Sequence, residues 1–287
     1  MKIAYSSDLH MDVTDHHPPI VERIAGIMCE ADPDVLVLAG DVGNTLTTME
    51  AVFKLFAGIE ATKLFVPGNH DLWVESDKDF GKGSDSGEKY ASLVPALCER
   101  MGFVDLGQGP FYFDDTAFVG SAGWYDYSFA DPRLGLGETD YVRGSFAEEL
   151  WWDSRMISWC RFPHSPHDKG LSDGEICGGL VKKLESHITE AEKHVERIVA
   201  VIHTCPFVEL FSRSDPPYYL DAYTGSSKIG DVLRRHNKVK ICINGHKHQC
   251  GDWEIDGIRV HRRVLGAVFP EDSVEERARD AVGIIEL

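Results

Sequence analysis

The feature that most constrains this chain is a series of short apolar runs, each followed by a turn of glycine and polar residues. Near the N-terminus, Lys2–Tyr5, Val35–Ala39 and Leu64–Val66 precede the turns SSDLH, GDVGN and PGNHD. Helix-like stretches at Pro19–Glu30 and Thr47–Gly58 separate these runs, so the pattern predicts β-α-β-α-β with parallel strands. Open α/β sheets bind ligands beyond the carboxyl ends of their strands, which is where these turns fall.

The same arrangement returns later in the chain. Ile198–Ile202 runs into HTCP, and Val239–Ile243 runs into NGHKH. Three C-terminal stretches alternate apolar and polar residues as antiparallel strands do: Asp252–Ile255, Ile258–Val264 and Val282–Glu286. Asp256-Gly257 is a hairpin-turn sequence between the first two. A second sheet packed on the first would bury these strands, and we interpret residues 1–287 as one domain.

Two segments interrupt the strand pattern. Residues 75–90 (ESDKDFGKGSDSGEKY) are rich in glycine, serine and charge, which predicts a mobile loop. Residues 124–175 carry many aromatic side chains and predict an ordered insertion. This insertion is interpreted either as a small satellite core or as a cap whose Trp124, Tyr125 and Tyr127 flank a substrate. Ile176–Arg197 then predicts an amphipathic helix.

Charge and composition limit the partners and the location. Acidic residues outnumber basic ones by 47 to 29, and the resulting net charge of −18 disfavours binding to nucleic acid and to anionic membranes. No apolar run is long enough for a membrane span or a signal peptide, and the seven cysteines form no CxxC pair. We therefore expect a cytoplasmic protein with reduced thiols.

The polar residues after the strands are of the types that bind metal ions. Carboxylate and imidazole groups suit zinc, manganese or iron, and an asparagine carbonyl adds a neutral ligand. In an extended segment, residues two apart point the same way, so Asp8 and His10 can chelate together, as can His246 and His248. The candidate ligands are Asp8, His10, Asp41, Asn69, His203, His246 and His248.

Taken in order, the motifs DLH, GDVGN, GNHD, a lone histidine and GHKH resemble those of the calcineurin-like metallophosphoesterase superfamily, from residue 8 to residue 248. One departure is that Pro206 follows His203 by three residues, where the family often has His-x-Pro. The resemblance implies two metal ions bridged by Asp41. It implies that one ion is held by Asp8, His10 and His248, and the other by Asn69, His203 and His246.

The resemblance also implies a mechanism. A hydroxide between the two metals would attack phosphorus, and His70 would donate a proton to the departing oxygen. Asp71 is predicted to be the partner that orients the His70 ring and raises its pKa. Asn44, three residues after Asp41, is expected to orient neighbouring groups rather than to bind a metal.

We therefore predict a four-layer α/β/β/α sandwich of two mixed sheets flanked by helices, with an aromatic-rich insertion. The expected activity is hydrolysis of a phosphomonoester or phosphodiester by two metal ions, with manganese, iron or zinc as candidates. A small phosphorylated substrate is favoured, and the acidic charge weighs against the alternative of a nuclease. A non-catalytic scaffold of the same fold is a second alternative, but such a scaffold would be expected to have lost ligands, and none is missing here.

Overall fold

The structure is a computed structural model that describes residues 1–74, 85–159 and 170–287. The strands of these ranges are β1 (Lys2–Ser6), β2 (Val35–Leu38), β3 (Thr62–Phe65), β4 (Phe103–Asp105), β5 (Phe111–Phe113), β6 (Thr116–Ser121), β7 (Ser145–Phe146), β8 (Glu149–Leu150), β9 (Arg197–Ile202), β10 (Val239–Asn244), β11 (Gly251–Ile255), β12 (Ile258–Arg262) and β13 (Gly283–Glu286). They form two large sheets and the small β7–β8 pair.

The α-helices of the same ranges are α1 (His17–Glu30), α2 (Leu46–Phe56), α3 (Ser86–Glu88), α4 (Val94–Met101), α5 (Glu138–Val142), α6 (Asp153–Met156), α7 (Asp173–Ala191), α8 (Ser227–Arg235) and α9 (Val274–Asp280). Short 3-10 turns occur at His70–Leu72, Pro132–Leu134, Val208–Leu210 and Tyr219–Tyr223, and Lys89–Leu93 forms a π-helical turn.

Both large sheets are mixed. The first has the strand order β13-β1-β2-β3-β4, in which β1 to β4 are parallel and β13 is antiparallel to β1. The second has the order β11-β12-β10-β9-β6-β5, with its four central strands parallel and both edge strands antiparallel. The carboxyl ends of the parallel strands therefore gather the turns that carry the polar motifs.

Alternation along β1 shows how the layers are built. Ile3 and Tyr5 pack between the two sheets, whereas Ala4 faces the outer core formed with α1, α2, α4 and α9. A third core, on the outer face of the second sheet, contains side chains of α7 and α8. Helices thus cover the outer face of each sheet, and the predicted α/β/β/α sandwich is confirmed.

One local prediction is confirmed, whereas others need correction. The β11–β12 hairpin turns at Asp256 and Gly257, both with positive φ, as predicted. Strand β13, however, joins the first sheet rather than the second. The helix predicted at Ile176–Arg197 is α7, which begins earlier because Ser172 and Glu175 form a capping box, and Arg197 already belongs to β9.

The loop predicted over residues 75–90 is wrong for its second part, while residues 75–84 lie outside the described ranges. From Ser86 onward the chain is helical, because the Asp85 carboxylate accepts hydrogen bonds from the backbone N–H groups of Gly87 and Glu88. Lys89 is completely buried. The aromatic insertion is ordered where it is described, with Trp124, Tyr125 and Trp159 buried in one cluster.

Candidate metal centre

The seven candidate ligands lie together at the carboxyl ends of β1, β2, β3, β9 and β10. Backbone hydrogen bonds join the first two turns, since Asp8 N donates to Gly40 O (2.9 Å) and His10 N donates to Asp41 O (3.0 Å). Asp8, His10, Asp41, Asn69 and His203 are buried, each at most 4% exposed. The structure therefore brings donor atoms from widely separated parts of the sequence together in one largely buried cluster.

One group consists of Asp8, His10 and His248, whose donor atoms lie within 4.8 Å of one another. His248 Nε2 is 3.3 Å from Asp8 Oδ1 and 3.1 Å from His10 Nε2. This is the set predicted for the first metal. Carboxylate and imidazole donors at this spacing can hold a divalent ion.

A second group consists of Asp41, His203 and His246, again with donor atoms within 4.8 Å. Asn69 joins it, since its Oδ1 is 3.2 Å from His203 Nε2 and 2.9 Å from His246 Nδ1. Asp41 Oδ2 lies 3.3 Å from His203 Nε2 and 3.8 Å from His10 Nε2. Asp41 therefore stands between the two groups, where a bridging ligand is predicted.

The backbone at the ligands is unusual. Asp8, His10, Asp41 and His246 all adopt positive φ angles, of 53°, 44°, 53° and 68°. Left-handed backbone costs L-residues free energy and concentrates at functional sites. At Gly68, a Cβ atom would collide with Asp41 Oδ1 and with the His203 ring, so this position requires glycine.

Two histidine rings have fixed orientations. His203 Nδ1–H donates to Ala39 O (2.8 Å), which leaves Nε2 facing Asp41 and Asn69. His246 Nε2–H donates to Tyr223 O (3.0 Å), which leaves Nδ1 facing Asn69. Hydrogen bonds of this kind select the tautomer and aim the free nitrogen of a metal-binding histidine.

The electrostatics fit a cation at this place. Burial lowers the pKa of His246 to about 3, so the ring is neutral and presents a bare Nδ1 to the Asn69 carbonyl oxygen at 2.9 Å. Two lone pairs at this distance repel each other unless a cation lies beside both. The chemistry of these donor atoms thus fits a bound metal ion.

The remaining pKa shifts follow burial and the neighbouring charges. Burial lowers the pKa of His10 to about 3. Burial would raise the pKa of Asp8 and Asp41, but the facing His248 and His203 outweigh it and hold both carboxyl groups well below their usual range. Burial opposes protonation of His203, yet the Asp41 charge raises its pKa to about 10. The carboxylates and imidazoles that face one another in this buried cluster thus set the directions of these pKa shifts.

His70 lies beside this cluster, but its predicted partner is wrong. Its Nδ1–H donates to Asn44 Oδ1 at 3.0 Å, and its ring stacks on Trp73 with 3.8 Å between the ring centroids. Its backbone N–H donates to Asp41 Oδ1 at 2.9 Å. Asn44 thus orients a neighbouring group, as predicted. That group is the His70 ring, for which Asp71 was the predicted partner.

Asp71 instead forms hydrogen bonds to the turn that carries Asp41 and to the turn that carries Asn69. Its Oδ2 accepts from the backbone N–H groups of Asp41 (2.7 Å) and Gly68 (2.8 Å), and its Oδ1 accepts from Val42 (2.9 Å) and Gly43 (3.1 Å). Burial, followed by the charge of Asp41, raises its pKa to about 7. Its observed contacts hold the positions of Asp41 and Asn69 rather than the His70 ring.

Two buried residues around the site were not found from the sequence. Asp153 accepts a hydrogen bond from Asn69 Nδ2 at 3.0 Å. Lys89 donates to the carbonyl oxygens of Asn44 (3.0 Å) and Trp73 (2.8 Å), two of the residues that contact the His70 ring. Asp153 lies in the insertion and Lys89 in the segment predicted to be a loop, and neither belongs to a recognisable motif.

A cavity of about 150 Å³ opens onto the cluster. One side of it is lined by His70 and by the candidate ligands Asp41, Asn69, His246 and His248. Trp151, Tyr218 and Leu220 form an apolar wall, next to Thr224 and Lys247. The arrangement can therefore hold a charged group beside the candidate ligands and a less polar group against the apolar wall.

Comparison with known proteins agrees with this geometry. The model of the calcineurin-like phosphoesterase family matches residues 1–250. The chain belongs to this family. Calcineurin-like phosphoesterases are metal-dependent hydrolases of phosphoric esters that use two divalent ions, and the histidine and aspartate groups described above can bind such ions.

The likeness to one relative, PptH, extends over most of the chain in both sequence and structure. The chain is 26% identical over 274 residues to the [acyl-carrier-protein] phosphodiesterase PptH of Mycobacterium tuberculosis, covering 91% of this chain and 76% of PptH. The crystal structure of PptH, a phosphopantetheinyl hydrolase, superposes on this chain with a TM-score of 0.72 at 21% identity. The superposition covers 97% of this chain and 91% of the PptH chain.

A dimetal phosphatase from Danio rerio shares the fold with a TM-score of 0.52 at 13% identity, covering 91% of this chain and 86% of that one.

Within the ranges that the structure describes, none of the helices combines the length and the apolar character that crossing a membrane requires.

Proposed function

We propose that this calcineurin-like phosphoesterase hydrolyses a phosphodiester, with two metal ions held by Asp8, His10, Asp41, Asn69, His203, His246 and His248. The observation that carries the proposal is the contact between His246 Nδ1 and Asn69 Oδ1, where a neutral ring and a carbonyl oxygen face each other at 2.9 Å. When bound, the ions would polarise the phosphoryl oxygens and activate a water molecule.

His70 is proposed as the proton donor to the leaving oxygen. It lines the cavity together with Asn69 and His246. Its Nδ1–H donates to the Asn44 amide oxygen, which can accept that bond whether or not Nε2 carries a proton. The ring can therefore lose and regain the Nε2 proton without turning, and stacking on Trp73 holds its plane.

The shape of the cavity and the likeness to PptH support the proposed substrate class. A phosphodiester has organic groups on both sides of phosphorus, and the wall of Trp151, Tyr218 and Leu220 offers apolar surface to one of them. PptH is named for its action on a phosphopantetheinyl group and an acyl carrier protein. We propose that the same class of substrate, a phosphopantetheinyl ester of a carrier protein, is hydrolysed here.

The test is a substrate panel with manganese-loaded protein. It contains phosphopantetheinyl carrier protein, a bis(nitrophenyl) phosphodiester, a nitrophenyl phosphomonoester, a cyclic nucleotide and a single-stranded oligonucleotide. We expect the highest kcat/KM for the carrier-protein ester and hydrolysis of the simple diester above that of the monoester.

Three outcomes would contradict the proposal. Preference for the phosphomonoester would exclude a phosphodiesterase, and preference for the oligonucleotide would favour a nuclease. If no member of the panel were hydrolysed although two metals were bound, a non-catalytic scaffold would be favoured. Asp114→Asn, in an exposed turn, is the control for handling and metal loading.

A further inference from the structure

Asp153 is a buried carboxylate that connects the aromatic insertion with the metal centre. It begins helix α6 and is 3% exposed. Its Oδ1 accepts hydrogen bonds from Asn69 Nδ2 (3.0 Å) and from Trp73 Nε1 (2.7 Å), and its Oδ2 accepts one from Tyr125 OH (3.3 Å). One side chain of the insertion therefore contacts a proposed metal ligand, a residue beside the proton donor and a residue of the aromatic core.

The bond to Asn69 decides which end of that amide faces the metals. A carboxylate accepts hydrogen bonds only, so Asp153 selects the NH₂ group of the Asn69 side chain. The carbonyl Oδ1 is then directed at His203 Nε2 and His246 Nδ1. A reversed amide would place its oxygen against the Asp153 carboxylate, where the two acceptors repel. The donor atom that Asn69 offers is thus set by a residue 84 positions away.

The bond to Trp73 acts on the other part of the site. The indole N–H is fixed by the same Asp153 oxygen, and the indole ring stacks on His70 at 3.8 Å with 27° between the planes. His70 is therefore held on one side by the Asn44 amide and on its face by an indole that Asp153 anchors. Both the ligand amide and the proton donor depend on one carboxylate.

We propose that Asp153 is a positioning residue for this reaction, which makes the aromatic insertion part of the catalytic apparatus. This inference rests on the proposed function, because it assumes that Asn69 binds a metal and that His70 donates a proton. Loss of a hydrogen bond to the atom of a metal-binding side chain that does not itself bind the metal commonly lowers metal affinity by about 10-fold to 100-fold. A role in packing alone would weaken metal binding no more in a variant of Asp153 than in a variant that leaves the Asn69 and Trp73 bonds in place.

The test measures metal binding directly. Manganese is titrated into metal-free protein by calorimetry, for wild type, Asp153→Ala and Asp153→Asn. We expect the alanine variant to bind one of two ions about 10-fold to 100-fold more weakly. The asparagine variant should restore most of that loss, because its amide oxygen can still accept from Asn69 and Trp73 while its NH₂ donates to Tyr125 OH.

Tyr125→Phe is the matched control. It removes the partner of Asp153 Oδ2 and leaves the Asn69 and Trp73 bonds to Asp153 Oδ1 in place. We expect wild-type metal affinity for this variant. Equal weakening in Tyr125→Phe and Asp153→Ala would assign the effect to packing and overturn the inference, as would wild-type affinity for both ions in Asp153→Ala.

Two further variants keep the test decisive. If Asp153→Ala does not fold, Asp153→Ser undergoes the same titration, since it leaves a small polar side chain in place. Trp73→Phe keeps a ring against His70 but removes the indole N–H, so kcat should fall while metal affinity stays at the wild-type value. An unchanged kcat would refute the part of the inference that concerns His70.

These outcomes are distinguishable from failure of the proposed function. If wild type binds fewer than two ions, the dinuclear proposal fails before Asp153 is considered. If wild type binds two ions but hydrolyses no phosphodiester, the proposed reaction fails, and the calorimetric comparison still decides whether Asp153 orients Asn69.

Discussion

The two halves of the proposed metal centre are supported very differently. In the half formed by Asn69, His203 and His246, each side chain has a hydrogen-bond partner behind it, namely the Asp153 carboxylate, Ala39 O and Tyr223 O. In the half formed with Asp8, the buried His10 Nδ1 has no partner within the described ranges, and the His248 side chain is 42% exposed.

The difference shows how one centre can combine rigidity with access. Ligands whose second polar atom is already bonded lose little freedom when an ion binds, so the Asn69 half is organised in advance. The half with Asp8, His10 and His248 opens to solvent through His248. We infer that the Asn69 half holds its ion more tightly and that the other half exchanges its ion more readily.

The largest effect is expected where the two halves meet. Asp41→Asn removes the charge that both halves share and keeps a residue that tolerates left-handed backbone. We expect loss of at least one ion and a fall in kcat/KM of about 10⁴-fold, which corresponds to about 5.5 kcal/mol of transition-state stabilisation.

Metal analysis and steady-state kinetics check this expectation. Asp114→Asn is the control, because Asp114 has nearly the same φ angle (52° against 53°) in an exposed turn. Two ions per chain and near-normal activity in Asp41→Asn would show that the halves are independent.

His70→Asn should give the next largest effect. The His70 ring lies 4.7 Å from the His10 ring, next to the open half of the centre. We expect kcat to fall by about 10²-fold to 10³-fold for esters with poor leaving groups and much less for nitrophenyl esters, because a good leaving group needs no proton. Equal losses for both kinds of ester would exclude the general-acid role.

The inferred difference in affinity can be tested by removing ions one at a time. During titration with a chelator, wild type should lose one ion at a chelator concentration about 10-fold to 100-fold below that needed for the second. His10→Asn should retain the tightly held ion, whereas His203→Asn should lose it. Simultaneous loss of both ions from wild type would contradict the comparison of the two halves.

Asp71→Asn should lower the free energy of unfolding and should affect the catalysed reaction less. An asparagine has one oxygen for the four backbone N–H groups that Asp71 accepts, so its NH₂ group would face donors. Leaving buried donors unpaired costs about 1–3 kcal/mol in the free energy of unfolding. Denaturant unfolding of the metal-free protein measures this loss, and unchanged stability together with a changed response to leaving groups would restore Asp71 as the partner of His70.

The layers, and the grouping of the proposed ligands, could be predicted from the sequence because both depend on local pattern. Apolar runs marked β1, β2, β3, β9 and β10, and each proposed ligand closely follows one of them in the sequence. The geometry of parallel strands then brings the ligands of each sheet to the edge where its strands end, without any need to know the side-chain contacts.

The directions and contacts of the side chains around the ligands, namely His70, Asp71 and Asp153, were not predictable in this way. His70 and Asp71 are adjacent in one 3-10 turn, so their side chains point in different directions, and adjacency in sequence did not mean contact. Asp153 is 84 residues from Asn69 in an insertion without a recognised motif. Its role depends on tertiary packing, which a strand pattern does not contain.

The bonds of Asp71 have a consequence for the choice of metal. By holding the backbone at both Asp41 and Gly68, this carboxylate fixes the gap between the turn that carries Asp41 and the turn that carries Asn69. Ions of different radius would therefore meet donors at the same spacing. Selectivity among manganese, iron and zinc would then reflect how well each ionic radius matches a gap that the polypeptide has already set.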